Sequence, residues 1–433
     1  MKIYQRSRLT PPLWKTLCTR PWSANESVKT AVLEICLRVK ERGDEALKEY
    51  SAQYDRFPIT RFRVGPEEFP AARKKVSGKL LDALQAATRV IRSFHAAQVQ
   101  PEQKIQTLPG VLCWRERRPI ERVGLYIPAG SAPLPSTVLM LSIPAILAGC
   151  PRIILCSPPT SDGSVDPAVL VAAESLGLSE IYKIGGAQAI AAMAYGTESI
   201  PRVDKIFGPG NQYVTTAKQF VSSDPDACAI DLLAGPSELL VIADESAEAR
   251  TVAADLLSQA EHDPSSQVVL ITTTQRLAAD VEKELAGFLS DLPRHDIAAK
   301  ALEGSFSVIV ESLEEAVSLS NDYAPEHLIL NVQSPERLLP SIQNAGSVFL
   351  GACAPVTAGD YASGTNHSLP TGGTARRSGG ISVESFQKTL TFQIITREGL
   401  QQLAPTLTTL AEVEGLEAHK RAVTIRLQGW NET

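Results

Sequence analysis

From Arg122 onward, nine short apolar runs alternate with stretches of helical periodicity, and this alternation constrains the fold of the 433-residue chain more than any other feature. The runs are VGLYI (123–127), RIILC (152–156), EIYKI (180–184), VDKIF (203–207), LLVIA (239–243), QVVLIT (267–272), FSVIV (306–310), HLILN (327–331) and SVFLG (347–351). Strands that are apolar on both faces and separated by helices of about a dozen residues belong to parallel sheets covered on both sides. Nine strands exceed one comfortable sheet. The fold class expected is therefore α/β, with two doubly wound, incomplete Rossmann-like parallel-sheet domains.

The first four runs form a block, 123–236, closed by the Gly235-Pro236 turn. It reads as an insertion into a larger discontinuous domain, 26–122 with 237–381, because the later strands need the helical stretches Ser27–Tyr54 and Pro66–Gln98 as cover. Residues 1–25 are polar, carry Pro11, Pro12 and Pro21, and read as an N-terminal arm. Residues 382–433 read as a separate tail, helical from about Arg397 to Lys420. The length itself suits two to three domains.

Composition narrows the function. A net charge of −6 with no basic run argues against nucleic acid or an anionic membrane as the main partner. The seven cysteines are scattered and show no CxxC spacing, which speaks against a disulfide framework or a structural zinc site. The N-terminus lacks a continuous apolar signal segment, and the longest apolar stretch, Val138–Cys150, is short and holds Pro144. A soluble cytoplasmic protein acting on a small molecule is expected.

Ligand chemistry is concentrated in a few places. In Leu256–Pro264 (LLSQAEHDP), Gln259 and His262 lie one turn apart near a helix end, where the last carbonyls carry about half a negative charge and favour a cation. The same spacing also suits a solvated face. Three junctions of the middle block are rich in small residues: Tyr126-Ile-Pro-Ala-Gly-Ser131, Gly185-Gly-Ala-Gln188 and Gly208-Pro-Gly-Asn211. The carboxyl ends of parallel strands, followed by helix N-termini, are the place for a dinucleotide. None is a true GxGxxG fingerprint, since Tyr213 stands where the third glycine belongs, so tight turns alone remain an alternative.

Pro325-Glu326-His327 places a carboxylate beside an imidazole at a strand start. Adjacent strand residues point to opposite faces, so both serve one site only if a turn ends there. Gly359–His367 is a polar loop with Asp360 as an oxygen ligand. In the tail, Glu414 and His419 converge on one point only if Gly415 breaks the helix or another subunit supplies the opposite wall. Gln259, His262, Asp360 and His419 together would give two imidazole nitrogens and two oxygens, a set suited to zinc, manganese or cobalt. His95 and His295 read as surface residues. Cys150 and Cys156 raise the idea of a thiolate nucleophile, which burial of both in apolar surroundings disfavours.

These segments resemble the histidinol dehydrogenase family. The resemblance rests on VGLYIPAGSAPLPSTVLML, IGGAQAIAAMAYGT, VDKIFGPGN, AIDLLAGPSE, DLLSQAEHD, APEHLIL, AGSVFLG, GDYASGTNHSLPT and EGLEAHKRAV, which cover most of the chain from about 105 to 425. It implies one zinc ion per subunit held by Gln259, His262, Asp360 and His419, and Glu326 and His327 as the acid/base pair. Substrate contacts would come from Ser237, His327, His367 and Glu414 besides the metal ligands. Tyr126, Gln188 and Asn211 fall where the family contacts NAD. The family is a homodimer whose tail completes the neighbour's site. The expected reaction is oxidation of L-histidinol to L-histidine, with His327 near the usual imidazole pKa of about 6.5 as proton acceptor and Glu326 activating water. A paralogue oxidising a different chelating amino alcohol, a metal hydrolase and a non-catalytic ligand binder are the alternatives.

Overall fold

A computed structural model of the chain describes every residue except 21–25, 56, 100, 130–131, 233–234 and 429–433. The chain divides into two units, Met1–Gln98 with Ile120–Phe386, and Val99–Pro119 with Gln387–Thr433. All nine apolar runs are strands of the first unit.

The first unit holds two sheets, parallel throughout. One runs, from edge to edge, Lys2–Gln5, Phe306–Ile309, Gln267–Thr272, Glu238–Ala243, His327–Asn331 and Ser347–Leu350. The other runs Ile181–Lys183, Arg152–Ser157, Arg122–Tyr126, Lys205–Phe207 and Ala229–Ile230. Both are buried on two faces, as the unbroken apolar runs require. Along Glu238–Ala243, Leu239, Val241 and Ala243 enter one apolar cluster while Leu240 and Ile242 enter the cluster on the opposite face. The period of two is present but hidden, because both sides are core.

Two expectations are corrected. The helices between Glu26 and Ala96 do not cover the later strands. Glu26–Tyr50 packs on the helices Gly186–Tyr195 and Gln212–Ser223, and Gly78–Ala96 packs on Pro135–Ala148. They cover the five-stranded sheet, whose helix Pro135–Ala148 is apolar almost all round and therefore needs a second layer over it. The first residues are also more than an arm: Lys2–Gln5 adds an edge strand beside Phe306–Ile309, and Leu13 and Trp14 pack against the core behind it. Pro21 lies outside the described residues.

The second unit is an antiparallel sheet of Gln387–Ile395, Val111–Pro119 and Ile105–Leu108, followed by the helices Arg397–Val413 and Glu417–Gln428. The sheet escaped sequence analysis because its strands are rich in Arg, Gln and Thr and half exposed. Glu414 caps the first helix, and Gly415, at φ 71°, starts the turn into the second. The break at Gly415 is thus present.

Candidate active site

A cavity of about 960 Å³ is lined from both sheets of the first unit, in the size range of small-molecule and cofactor sites. The five-stranded sheet presents its carboxyl ends, through Tyr126, Gly186 and Gly210. The six-stranded sheet presents its amino ends instead, through Ser237, Glu326 and His327.

Glu326 and His327 share the cavity because of the turn before them. The helix Leu313–Tyr323 ends on Ala324 in the left-handed region at φ 53°, an uncommon conformation for a residue with a side chain. Pro325 follows and the strand begins only at His327, so Glu326 is released from strand alternation. Glu326 Oε1 lies 3.7 Å from His327 Nε2, and Glu326 Oε2 accepts the N–H of Glu238 at 2.9 Å. Burial pushes the Glu326 carboxyl well above its usual range, against the pull of that N–H. Burial first, then His367 and His262, pushes His327 down to about 3. The expectation of an ordinary imidazole pKa is corrected, although the neutral form expected at pH 7 is retained. His327 Nδ1 is buried and has no hydrogen-bond partner among the described residues.

Gln259, in the last turn of the helix Ala249–Ala260, is buried, and its amide Nε2 donates to Asp360 Oδ2 at 3.3 Å. Asp360 Oδ1 is 3.9 Å from His327 Nε2. Loss of solvent raises the Asp360 carboxyl to about 7, opposed by the Gln259 amide. His262, just past the same helix, lines the cavity wall. Its surroundings and the Arg294 guanidinium lower its pKa, which favours the neutral, metal-binding form. His367 Nδ1 donates to the Asp360 carbonyl oxygen at 2.9 Å, so in the neutral ring Nε2 accepts from the Thr137 hydroxyl at 3.2 Å, and burial lowers its pKa to about 4. Among the described residues, no three His, Cys, Asp or Glu side chains of one chain form a ready cage.

The three small-residue loops also open on the cavity. Tyr126 is buried, its hydroxyl accepting the Gly186 N–H at 3.0 Å, so it ties a strand end to the start of the next helix. Gln188 lies buried in that helix's first turn. Asn211 caps the helix Gln212–Ser223 by accepting from the N–H groups of Tyr213 and Val214. The Gly208 turn is clamped from behind: its N–H donates to Asp231 Oδ2 at 2.8 Å and its carbonyl accepts from Lys218 Nζ at 2.8 Å, while Lys218 and Asp231 form a buried ion pair. Gly130 and Ser131 of the first loop, and Leu233 and Ala234 of the AIDLLAGPSE segment, lie outside the described residues.

A family model described as histidinol dehydrogenase matches residues 18–427. The chain belongs to the histidinol dehydrogenase family. It is 52% identical over 402 residues to a histidinol dehydrogenase of Vibrio parahaemolyticus, covering 93% of this chain and 92% of that protein. It is 50% identical over 414 residues to one of Bacteroides thetaiotaomicron, covering 96% of each. The crystal structure of histidinol dehydrogenase from Elizabethkingia anophelis superposes with a TM-score of 0.95 at 48% identity, over 100% of this chain and 99% of that one.

Within this histidinol dehydrogenase family chain, the first unit brings together Ser237, Gln259, His262, Glu326, His327, Asp360 and His367 with Tyr126, Gln188 and Asn211. Glu414 and His419 belong to the second unit, both exposed on either side of Gly415. The thiols play no part here. Burial raises Cys150 to about 11 and Cys156 further, so both stay protonated. His295 is exposed, as expected. His95 is not: it is fully buried, its Nδ1 2.9 Å from Ile91 O and its Nε2 3.3 Å from the Asn366 amide. Sequence analysis gave no role to Thr137, Arg294 and Glu238, whose partners His367, His262 and Arg20 lie elsewhere in the chain.

Among the described residues, no helix is long and apolar enough to cross a membrane.

Proposed function

We propose that the protein oxidises L-histidinol to L-histidine through L-histidinaldehyde, with two successive hydride transfers to NAD and one zinc ion per subunit. The observation that supports this most is the meeting, in one cavity, of an acid/base pair, a trio of oxygen and nitrogen donors and three helix-start loops.

The donors fit a divalent metal. Asp360 is a carboxyl held away from water with the Gln259 amide as its hydrogen-bond donor, and a cation there would offset the cost of its ionisation. Gln259 and His262 add neutral donors at the negative end of a helix. With His419 the set suits zinc, manganese or cobalt, and one carboxylate leaves the site near +1, receptive to neutral nitrogen donors. The loops fit a dinucleotide: they lie at the carboxyl ends of parallel strands, and Asn211, whose oxygen is committed to its cap, keeps its amide donors for a ligand.

When bound, NAD would supply a hydride acceptor, and a metal held by Gln259, His262, Asp360 and His419 would supply a positive centre that orients the amino alcohol. His327, neutral at pH 7, takes the carbinol proton in the first oxidation. Glu326, a stronger base than an ordinary carboxylate once ionised, activates water for addition to the aldehyde. As water adds, the aldehyde oxygen takes up the proton held on His327, so His327 is neutral again and accepts a gem-diol hydroxyl proton in the second oxidation. Ser237, His367 and Glu414 orient the substrate.

The working form is a homodimer in which the partner's Glu414 and the partner's His419 complete each site. Leu407, Leu410, Val413, Leu416 and Ile425 of the tail are exposed large apolar residues, which favours an association surface. The protein acts in the cytoplasm, without nucleic acid or membrane as partner, in the last steps of histidine biosynthesis.

Incubation with zinc, NAD and histidinol tests this reading. Two NADH per histidine are expected. One NADH per product would make the protein an ordinary alcohol dehydrogenase, and no NADH would favour a hydrolase or a binder.

A further inference from the structure

Beside the acid/base pair lies a second buried ion pair that the chemistry above does not use. Arg20 is 7% exposed and Glu238 1%. Arg20 Nε and Nη2 donate to the two Glu238 carboxylate oxygens, each at 2.9 Å, while Nη1 and Nη2 also donate to Cys18 O at 2.6 Å and Tyr323 O at 3.0 Å. The guanidinium carbon sits 3.8 Å from the centre of the Tyr323 ring. Glu238 Oε1 accepts a further N–H, from Gly372 at 2.7 Å. The backbone N–H of Glu238 is the donor that holds Glu326 Oε2 at 2.9 Å.

A buried ion pair is weak evidence of a stability role, because apolar residues of the same volume often serve as well. What a two-pronged Arg–carboxylate pair supplies is geometry: its planar fork fixes the carboxylate in both direction and rotation. Fastening the N-terminal segment accounts for the bonds to Cys18 and Tyr323. It does not account for why the anchored residue is the one whose N–H grips Glu326. With Oε2 so held, Oε1 is the oxygen that faces His327 at 3.7 Å.

We infer that Arg20 and Glu238 are positioning residues for Glu326: the ion pair fixes the backbone at Glu238 so that its N–H keeps the Glu326 carboxylate turned toward His327. This rests on the role proposed above for Glu326 in the second oxidation.

The test uses full-length protein with zinc and saturating NAD, measuring the oxidation of histidinol and of supplied histidinaldehyde separately. Arg20→Met/Glu238→Gln removes both charges together, so no lone charge is left buried. It is expected to slow aldehyde oxidation about 100-fold, as a displacement of about 1 Å does, with alcohol oxidation and NAD binding far less affected. In a Glu326→Gln background the same pair of substitutions is expected to cost nothing more. Equal slowing of both oxidations, or a full further loss in the Glu326→Gln background, would overturn the inference. Should the double variant fail to fold, Arg20→Lys keeps the charge without the fork. Slowed aldehyde oxidation is expected of it, and an unchanged rate would count against positioning. Full aldehyde oxidation in Glu326→Gln alone would remove the role of Glu326, and with it anything to position. That result is distinct from a slow Glu326→Gln whose loss multiplies with that of the Arg20 variants, which would sink the positioning alone.

Discussion

Glu326 and His327 are neighbours in sequence, yet their side chains meet 3.7 Å apart, because Glu326 belongs to the turn after the left-handed Ala324 and only His327 to the strand. Burial then drives their proton affinities in opposite directions, the carboxyl up and the imidazole down. Two groups so separated in proton affinity are what an acid/base assignment looks for. With His327 proposed as proton acceptor, His327→Asn should lower turnover by roughly 100- to 10,000-fold, the range for a lost general base, while zinc content stays unchanged. Steady-state turnover and metal analysis of the same preparation check this. Turnover at the parent rate would remove His327 from the mechanism.

The strands were legible because continuous apolar runs need no partner to be recognised, and the residues proposed as metal ligands were singled out through family resemblance carried by motifs such as DLLSQAEHD. What stayed hidden depends on distance along the chain. Arg20 meets a carboxylate 218 positions away, and no local pattern announces it. His95 misled because it sits among Arg92, Ser93 and other polar residues on a helix whose buried face holds Leu84, Ile91 and His95 at spacings of seven and four. Periodicity marks that face, and the polar type of residue argued against it. The strands 105–119 and 387–395 lacked apolar runs, so their pairing has no signature in either segment alone.

The clamp behind the Gly208 turn predicts a cofactor effect without a substrate effect. Gly208 has φ 124°, and a Cβ there would lie 2.2 Å from the carbonyl oxygen of Tyr126, so Gly208→Ala must push the first and third loops apart. Lys218→Met leaves Asp231 as a lone buried charge, which should cost about 3–5 kcal/mol of stability. Lys218→Met/Asp231→Asn should recover much of that loss. Both Gly208→Ala and the double variant should bind NAD more weakly by calorimetry, with zinc binding unaltered. Parent-like NAD affinity in both would detach this turn from the cofactor.

His95 supplies a pH signature. Burial holds its pKa below the ordinary value of about 6.5, so the unfolded chain takes up a proton that the folded chain resists. Its contribution is complete above about pH 6.5 and is lost as the pH falls from there toward the lowered folded pKa. Asp360, raised to about 7, acts in the opposite sense over a similar range, so the total slope is not diagnostic. The difference between parent and variant is. His95→Gln should be less stable at pH 8, by about 1–3 kcal/mol for the disturbed buried bonds. That gap should narrow on acidification by up to about 1.4 kcal/mol per pH unit. Urea unfolding at several pH values measures it, and a gap that does not change with pH would mean that His95 titrates alike in both states.

Metal removal separates the proposed dehydrogenase from a fold that merely resembles one. If Gln259, His262 and Asp360 hold the ion, dialysis against a chelator should abolish histidinol oxidation, and added zinc should restore it. Asp360→Asn keeps the size of the side chain and removes the only carboxylate of the set, so the ion would lose its main charge partner. Zinc affinity should then fall by more than the ~10–100-fold typical of losing an outer hydrogen-bond partner of a metal ligand. NAD binding, proposed for the loops of the other sheet, should persist in the metal-free protein. Competition with a chromophoric chelator gives the zinc affinity and calorimetry the NAD affinity. Parent-like zinc affinity in Asp360→Asn would take Asp360 out of the metal site and leave its raised pKa to burial alone.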